Sequence, residues 1–272
     1  MAEHRSSGSS VVRARLLRLR AHWVLTLYPD AREASGAWQR LGQSGPVEAG
    51  GESDAERSKV EAGRRALVKV RRYCAANRLN RLGTLTYAGE GLHDPEELRA
   101  DVAEFFKRLR SGIRTKYLPL KQGIGQGDPF PYLWVTQWHP GGHGLHVHFA
   151  VARYIPRRVI EASWPHGFVH IKQLSNLSTG SGPLEEARLA ARYLARYIGA
   201  QFDDERRPAG LHRYEVAQGF QPLQVKLHGR TIDEVIEQAS AQLGANPTRV
   251  WRSDEAKEGW HGPPACWAQW PA

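Results

Sequence analysis

Two runs rich in β-branched and aromatic residues, Tyr132 to Trp138 and Gly144 to Val151, stand apart by only the five residues His139-Pro140-Gly141-Gly142-His143. A gap that short, filled with turn formers, predicts that the runs pair as an antiparallel hairpin. The rest of the chain has to be built around that hairpin. Leu82 to Tyr87 reads as a further strand, and Gly167 to Gln173 as another. Asp94 and Pro95 open a helix that runs to about Arg110, with Leu98, Val102, Phe105, Phe106 and Leu109 on one face. Pro156 to Ser163 reads as a short helix and Pro183 to Gly199 as a long one. The order β, α, β-β, α, β, α predicts the α+β class: an antiparallel β-sheet with helices packed on it, all on one side.

The flanks are less regular. Residues 1–10 are polar and Ser-rich and are expected to be disordered, and 11–28 hold enough apolar residues for a short helix or strand. Residues 30–56 carry Gly, Ser, Pro and acidic residues without a period and read as a loop or linker. From about Arg57 a helical pattern places Val60, Leu67, Val70 and Cys74 on one face, with Gly63 among them. The loops expected downstream are 121–131 and 175–182; Thr231 to Leu243 reads as a helix, followed by a Trp- and Pro-rich tail. The division that follows is an N-terminal extension (1–56), a main domain (57–230) and a C-terminal helix and tail (231–272).

Composition narrows the partners. Thirty-eight Lys and Arg face 28 Asp and Glu, a net charge of +10, which suits a phosphate-rich ligand. Arg64, Arg65, Lys69, Arg71 and Arg72 surround the helix that begins near Arg57; such a run is a solvated face or a surface laid along a DNA backbone. Tyr87, at the end of its strand, is a further candidate DNA contact. The two cysteines, Cys74 and Cys266, have no paired spacing, so neither a disulfide framework nor a Cys zinc site is expected, and a reducing cytoplasm is the simplest setting. No run of 18 apolar residues occurs and no secretory leader is recognised, so neither a membrane partner nor export is expected.

The chemistry gathers at two places. In His146-Val147-His148 the imidazoles are two residues apart, so on a strand they share a face and can chelate a divalent cation, while Val147 and Phe149 point the other way. A third ligand has to come from the paired strand, where Gln137 and His139 have the matching parity. A carbonyl oxygen beside two imidazoles suits Mg²⁺ or Mn²⁺ better than three nitrogens would. The second place is Tyr193-Leu194-Ala195-Arg196-Tyr197, whose phenols stack one turn apart on a helix. They are either half-buried packing residues or nucleophiles. A phosphodiester nick that must later be resealed is a chemistry that needs such phenols, with Arg196 adding charge at the phosphate.

In order and spacing, Gly83-Thr84-Leu85-Thr86-Tyr87, His146-Val147-His148 and Tyr193-Leu194-Ala195-Arg196-Tyr197 resemble motifs I, II and III of HUH rolling-circle replication initiators of small plasmids and single-stranded DNA phages. Trp164-Pro165-His166-Gly167-Phe168-Val169 looks like the same group, and Tyr214 to Pro222 resembles a stretch of actinobacterial plasmid initiators. The resemblance covers roughly residues 60 to 225. It implies an HUH-endonuclease, RRM-like fold and a metal-dependent nicking and joining enzyme. It further implies a 5′-phosphotyrosyl intermediate and a freed 3′-OH primer. Its partners would be single-stranded origin DNA in a hairpin, together with the host helicase and polymerase. The family pattern makes Tyr197 the first nucleophile and Tyr193 the second or an assistant.

The sequence departs from that pattern. Where relatives commonly carry a metal-binding Glu, Gln137 stands, which gives up a charge. Arg196 and Ala200 replace the two lysines of motif III, and Arg is a poor proton donor. No GxxxxGK[ST] loop is present, so strand separation is expected from the host. Two alternatives remain: an HUH transposase or relaxase, and a non-catalytic module binding a single strand through Tyr87, Tyr132 and Trp134.

Overall fold

The computed structural model describes residues 21–40, 52–111, 129–172, 174, 180–200, 212, 214–255 and 263–272. The expectations for 1–20, 41–51, 121–128 and 175–179 lie outside these. The chain divides into two compact units, Glu52–Pro222 and a second made of Met1–Gly51 with Leu223–Ala272. The two segments expected as separate extensions thus belong to one unit.

The larger unit is built on a five-stranded antiparallel sheet. Its strands are β3 (Arg81–Tyr87), β4 (Tyr132–Trp138), β5 (Leu145–Val151), β6 (Gly167–Lys172) and β7 (Tyr214–Val216), in the order β6-β3-β5-β4-β7. The hairpin forms as expected, with Gln137 opposite His146 and Val135 opposite His148. Helices α2 (Pro95–Ser111) and α3 (Arg157–Ser163) connect the first four of these strands into a β-α-β-β-α-β unit, the ferredoxin-like arrangement. Both lie on one face, over Leu85, Tyr87, Trp134, Val147, Phe149 and Val169. Phe105 meets Phe149 edge-to-face at 5.5 Å, and Phe106 stacks on Tyr132 at 3.7 Å.

The expectation of helices on one side holds for α2 and α3 but not for the whole unit. Helices α1 (Glu52–Ala76) and α4 (Pro183–Ala200) pack on the opposite face, with Val70, Tyr73, Cys74, Ala190, Ala191, Leu194 and Ile198 over Leu82, Leu133, Val135 and Ala150. The physical reason lies in the strands. Leu133, Val135 and Ala150 are apolar on the face that the hairpin's parity assigns to the histidines, and that surface needs a cover. Helix α1 begins five residues earlier than expected. Val60 is exposed, and packing on the core starts around Ala66 and Leu67.

Two glycines of the resembling motifs answer to close approaches. A Cβ on Gly83 would stand 2.3 Å from the Phe149 ring, and one on Gly167 would stand 2.2 Å from the Thr86 carbonyl oxygen. Beyond α4, β7 adds a short edge to β4. Tyr73 Oη donates to the Ala217 carbonyl (3.2 Å), and Asn77 Nδ2 donates to that of Phe220 (3.0 Å). The Tyr214–Pro222 stretch is thereby tied to α1.

The second unit is also a five-stranded antiparallel sheet, of order β8-β1-β2-β10-β9. Its strands are β1 (Ala21–Tyr28), β2 (Glu33–Arg40), β8 (Val225–Gly229), β9 (Arg249–Arg252) and β10 (Ala265–Gln269). Helix α5 (Ile232–Leu243) packs on it through Val235, Ile236 and Ala239. Thr231 caps α5 by accepting from Glu234 N–H, and Gly244 ends it in the left-handed conformation. Here the sequence reading needs correction: 33–40 is a strand rather than a loop, and the tail supplies two strands and the fully buried Trp270. The inward positions of β2 are Ala34, Gly36 and Trp38, of which the first two are too small to mark a strand, and one of its two partners, β10, lies more than 200 residues away. Both cysteines are free and buried, one in each unit. No helix among the described residues is long and apolar enough to cross a membrane.

Candidate active site

Strand alternation delivers the polar cluster. On β5, Val147 and Phe149 go down into the aromatic core, which leaves His146 and His148 on the face covered by α1 and α4. Hairpin register sets Gln137 directly opposite His146. Three donor atoms then form a nearly equilateral triangle. Gln137 Oε1 is 3.2 Å from His146 Nε2 and 3.1 Å from His148 Nε2, and the two Nε2 atoms are 3.1 Å apart.

Thr84, on the neighbouring strand β3, orients one ring: its Oγ1 is 2.9 Å from His148 Nδ1. In the tautomer whose Nδ1–H donates to that hydroxyl, Nε2 keeps its lone pair for the centre of the triangle. His146 Nδ1 is buried and has no hydrogen-bond partner. Burial pushes the His146 pKa down to about 4, with the nearby His139 adding to the effect. Burial and then His146 push that of His148 down to about 3. Both imidazoles are therefore neutral at pH 7, the form a metal requires.

The triangle fits a divalent cation. Three cis donors around an octahedral ion, each at about 2.1 Å, stand about 3 Å apart. In the tautomers that carry their protons on Nδ1, three lone pairs converge there and favour a positive charge at their centre. Among the described residues no group of three or more His, Cys, Asp or Glu side chains is placed to hold a metal. The cluster found here reaches three donors only through an amide. His139, the other possible third ligand, is exposed at the turn. Its ring is 5.8 Å from that of His146, and its Nδ1 accepts from the Gly141 N–H.

The two tyrosines of α4 stand over the same histidines. The Tyr197 ring stacks on His148 with centroids 3.7 Å apart and planes 13° from parallel, and Tyr193 meets His148 edge-on at 6.1 Å. Tyr197 Oη donates to Tyr193 Oη over 2.5 Å. The Tyr197 pKa lies well above the ordinary phenol value, first because of burial and then because of that bond; the Arg196 charge offsets part of the rise. Arg196 itself is exposed.

Residues 80–202 match the family of the replication-associated protein ORF2. The match spans β3 to α4 and contains all three residues of the triangle and both tyrosines. It is consistent with a rolling-circle replication initiator and supports a role in rolling-circle replication. No curated protein and no solved structure matches the chain.

Against this replication-associated family pattern, Gly83 to Tyr87 splits between two tasks. Thr84 serves the histidines, whereas Tyr87 is only 8% exposed. The Tyr87 hydroxyl donates to Asp101 Oδ2 (2.8 Å), and its ring packs edge-on against Trp164. The expected DNA contact at Tyr87 is therefore corrected: it is a core residue on the opposite face. Tyr132 and Trp134 also pack under the helices, so the open aromatic platform of the binding-module alternative does not form. On α1, Arg64, Arg65 and Lys69 are exposed, whereas Arg71 and Arg72 are half-buried.

Sequence reasoning missed Thr84 as the partner of His148. Its parity on β3 was legible, but that β3 lies beside β5 was not. It also missed Lys172, whose Nζ lies 5.4 Å from the Tyr193 ring centroid. Nothing local to Lys172 signals that contact.

Proposed function

We propose that this protein initiates rolling-circle replication as a tyrosine-dependent DNA-nicking and strand-transfer enzyme. The observation that carries the reading is the stack of Tyr197 on His148, which places a phenol beside a triangle of neutral metal-type donors. His146, His148 and Gln137 would hold a Mg²⁺- or Mn²⁺-class cation. Bound there, it would supply positive charge to the non-bridging phosphate oxygens and the departing 3′-oxygen.

The chain's own residues account for the remaining steps. Tyr197 Oη attacks the scissile phosphorus, the P–O3′ bond breaks, and the 3′-oxygen leaves and is protonated. The phenolic proton of Tyr197 is lost, and its path begins at the Tyr193 oxygen that already accepts it. The product is a 5′-phosphotyrosyl adduct and a free 3′-OH that can prime synthesis. Bond energy is kept in the adduct, so attack by a 3′-OH reverses the step and rejoins the strand. Tyr193, within hydrogen-bond reach, would act as the second nucleophile when Tyr197 is occupied.

The test is to incubate the protein with single-stranded origin DNA and Mn²⁺ and look for a covalent protein–DNA adduct. Wild type should form it and Tyr197→Phe should not. Tyr193→Phe should nick but should be slow in the strand transfer that ends a round. An adduct that persists in Tyr197→Phe and disappears in Tyr193→Phe would reverse the two roles. An adduct that persists with both tyrosines replaced would end the reading.

A further inference from the structure

We propose that the exposed face of β6 seats the single DNA strand next to the tyrosine pair, with Lys172 holding a phosphate and Phe168 stacking a base. The inference rests on the nicking function proposed above and says where on the protein its substrate lies.

Register places these side chains. β6 is the edge strand of the sheet, and Phe168, His170 and Lys172 pair with Thr86, Thr84 and Leu82 of β3. Thr84 pairs in turn with His148 of β5. Paired residues share a face, so Phe168, His170 and Lys172 lie on the face that carries the histidines. His148, Thr84 and His170 form one row across three strands, about 10 Å from end to end. Phe168 and Lys172, four residues apart, span about 13 Å along the edge.

That row is open. Phe168 is 63% exposed, while its neighbour Val169 is buried on the other face against α2 and α3. A large aromatic left in water on an otherwise polar row is not explained by packing. At the other end of the row, Lys172 reaches the ring of Tyr193 in a cation–π contact, which holds a positive charge at the second phenol. An exposed aromatic and a cation on one face of an edge strand are what a single-stranded nucleic acid uses: a π-face for a base and a charge for the backbone. The chain's net charge of +10 agrees with a polyanionic occupant. Lys172 thus brings to the tyrosines, from the sheet, a lysine charge that motif III lacks where Arg196 and Ala200 stand.

The experiment uses the full chain without divalent metal. It measures binding of a labelled 20-nucleotide oligo-dT and of an abasic deoxyribose-phosphate strand of the same length, over a range of salt. Phe168→Ala should weaken oligo-dT binding about ten-fold, the scale of one base–aromatic stack, and leave the abasic strand unaffected. Phe168→Trp should restore it. Lys172→Ala should weaken both strands and flatten the log–log salt slope by about 0.7, one phosphate contact, with Lys172→Arg restoring it. Both positions are exposed, so neither change threatens the fold. Wild-type affinity and slope in both alanine variants would overturn the seat on β6. If wild type still forms its tyrosine adduct in that case, the nicking function stands. If wild type neither binds oligo-dT nor forms an adduct, both fail together.

Discussion

The two faces of the larger sheet are made by the same strands and differ in almost everything else. On one, Leu85, Val147, Phe149 and Val169 meet the phenylalanines and leucines of α2, a dry layer with edge-to-face rings. On the other, Thr84, Gln137, His146 and His148 sit among Leu82, Leu133, Val135 and Ala150 under α1 and α4. The first face stabilises the fold. The second buries two imidazoles, one nitrogen of which has no partner, and such burial costs stability. Retaining that cost beside two phenols marks the second face as the one shaped by chemistry.

The sharpest way to break this comparison is to remove both imidazoles. His146→Ala with His148→Ala should abolish nicking of single-stranded origin DNA while leaving metal-free DNA binding largely intact. Full Mn²⁺-dependent cleavage by the double variant would sink the assignment of that face. The opposite face should respond in the opposite sense. Phe149→Ala should lower the unfolding free energy by about 3–5 kcal/mol in a denaturant titration. The folded fraction should still bind metal and form adduct. A loss of metal affinity with unchanged stability would mean that the two faces are not separate.

A smaller effect follows from the depressed histidine pKa values. Unfolded histidines titrate near 6.5, whereas here His146 and His148 titrate near 4 and 3. Between those values the unfolded chain binds more protons than the folded one, so the metal-free protein should lose stability as the pH falls from about 6.5 towards 4. The double alanine variant should lack that part of the slope. An identical profile in both proteins would show that other groups carry it. The smallest effect concerns Gln137. Gln137→Glu adds a charge at the third corner and should tighten Mn²⁺ binding about ten-fold, equivalent to about 1.4 kcal/mol. No change in the titration would remove Gln137 from the ligand set.

Local pattern carried much of the larger unit. The strand runs, the cap signals at Asp94 and the i, i+2 histidines are short-range features, and a two-residue period settles which side chains share a face once a strand is recognised. Hairpin register likewise made Gln137 a candidate, because the turn between the strands is short. The smaller unit was legible only in α5, whose cap residues Thr231 and Gly244 are local.

What the sequence determined by itself, then, is whatever its own periods and turns encode: the α+β class, the positions of the helices and of every strand but β7 in the larger unit, and the pairing of His146 with His148. Tertiary structure decided what depends on contacts between distant segments. It placed Thr84 behind His148, laid Tyr197 on that ring, and brought Lys172 to Tyr193. It turned Tyr87 into the core, and it joined residues 33–40 to a strand near the C-terminus. A window of sequence records the face on which a side chain emerges, but the neighbour it meets there depends on strand order and helix docking. Those are set by burial summed over the whole chain.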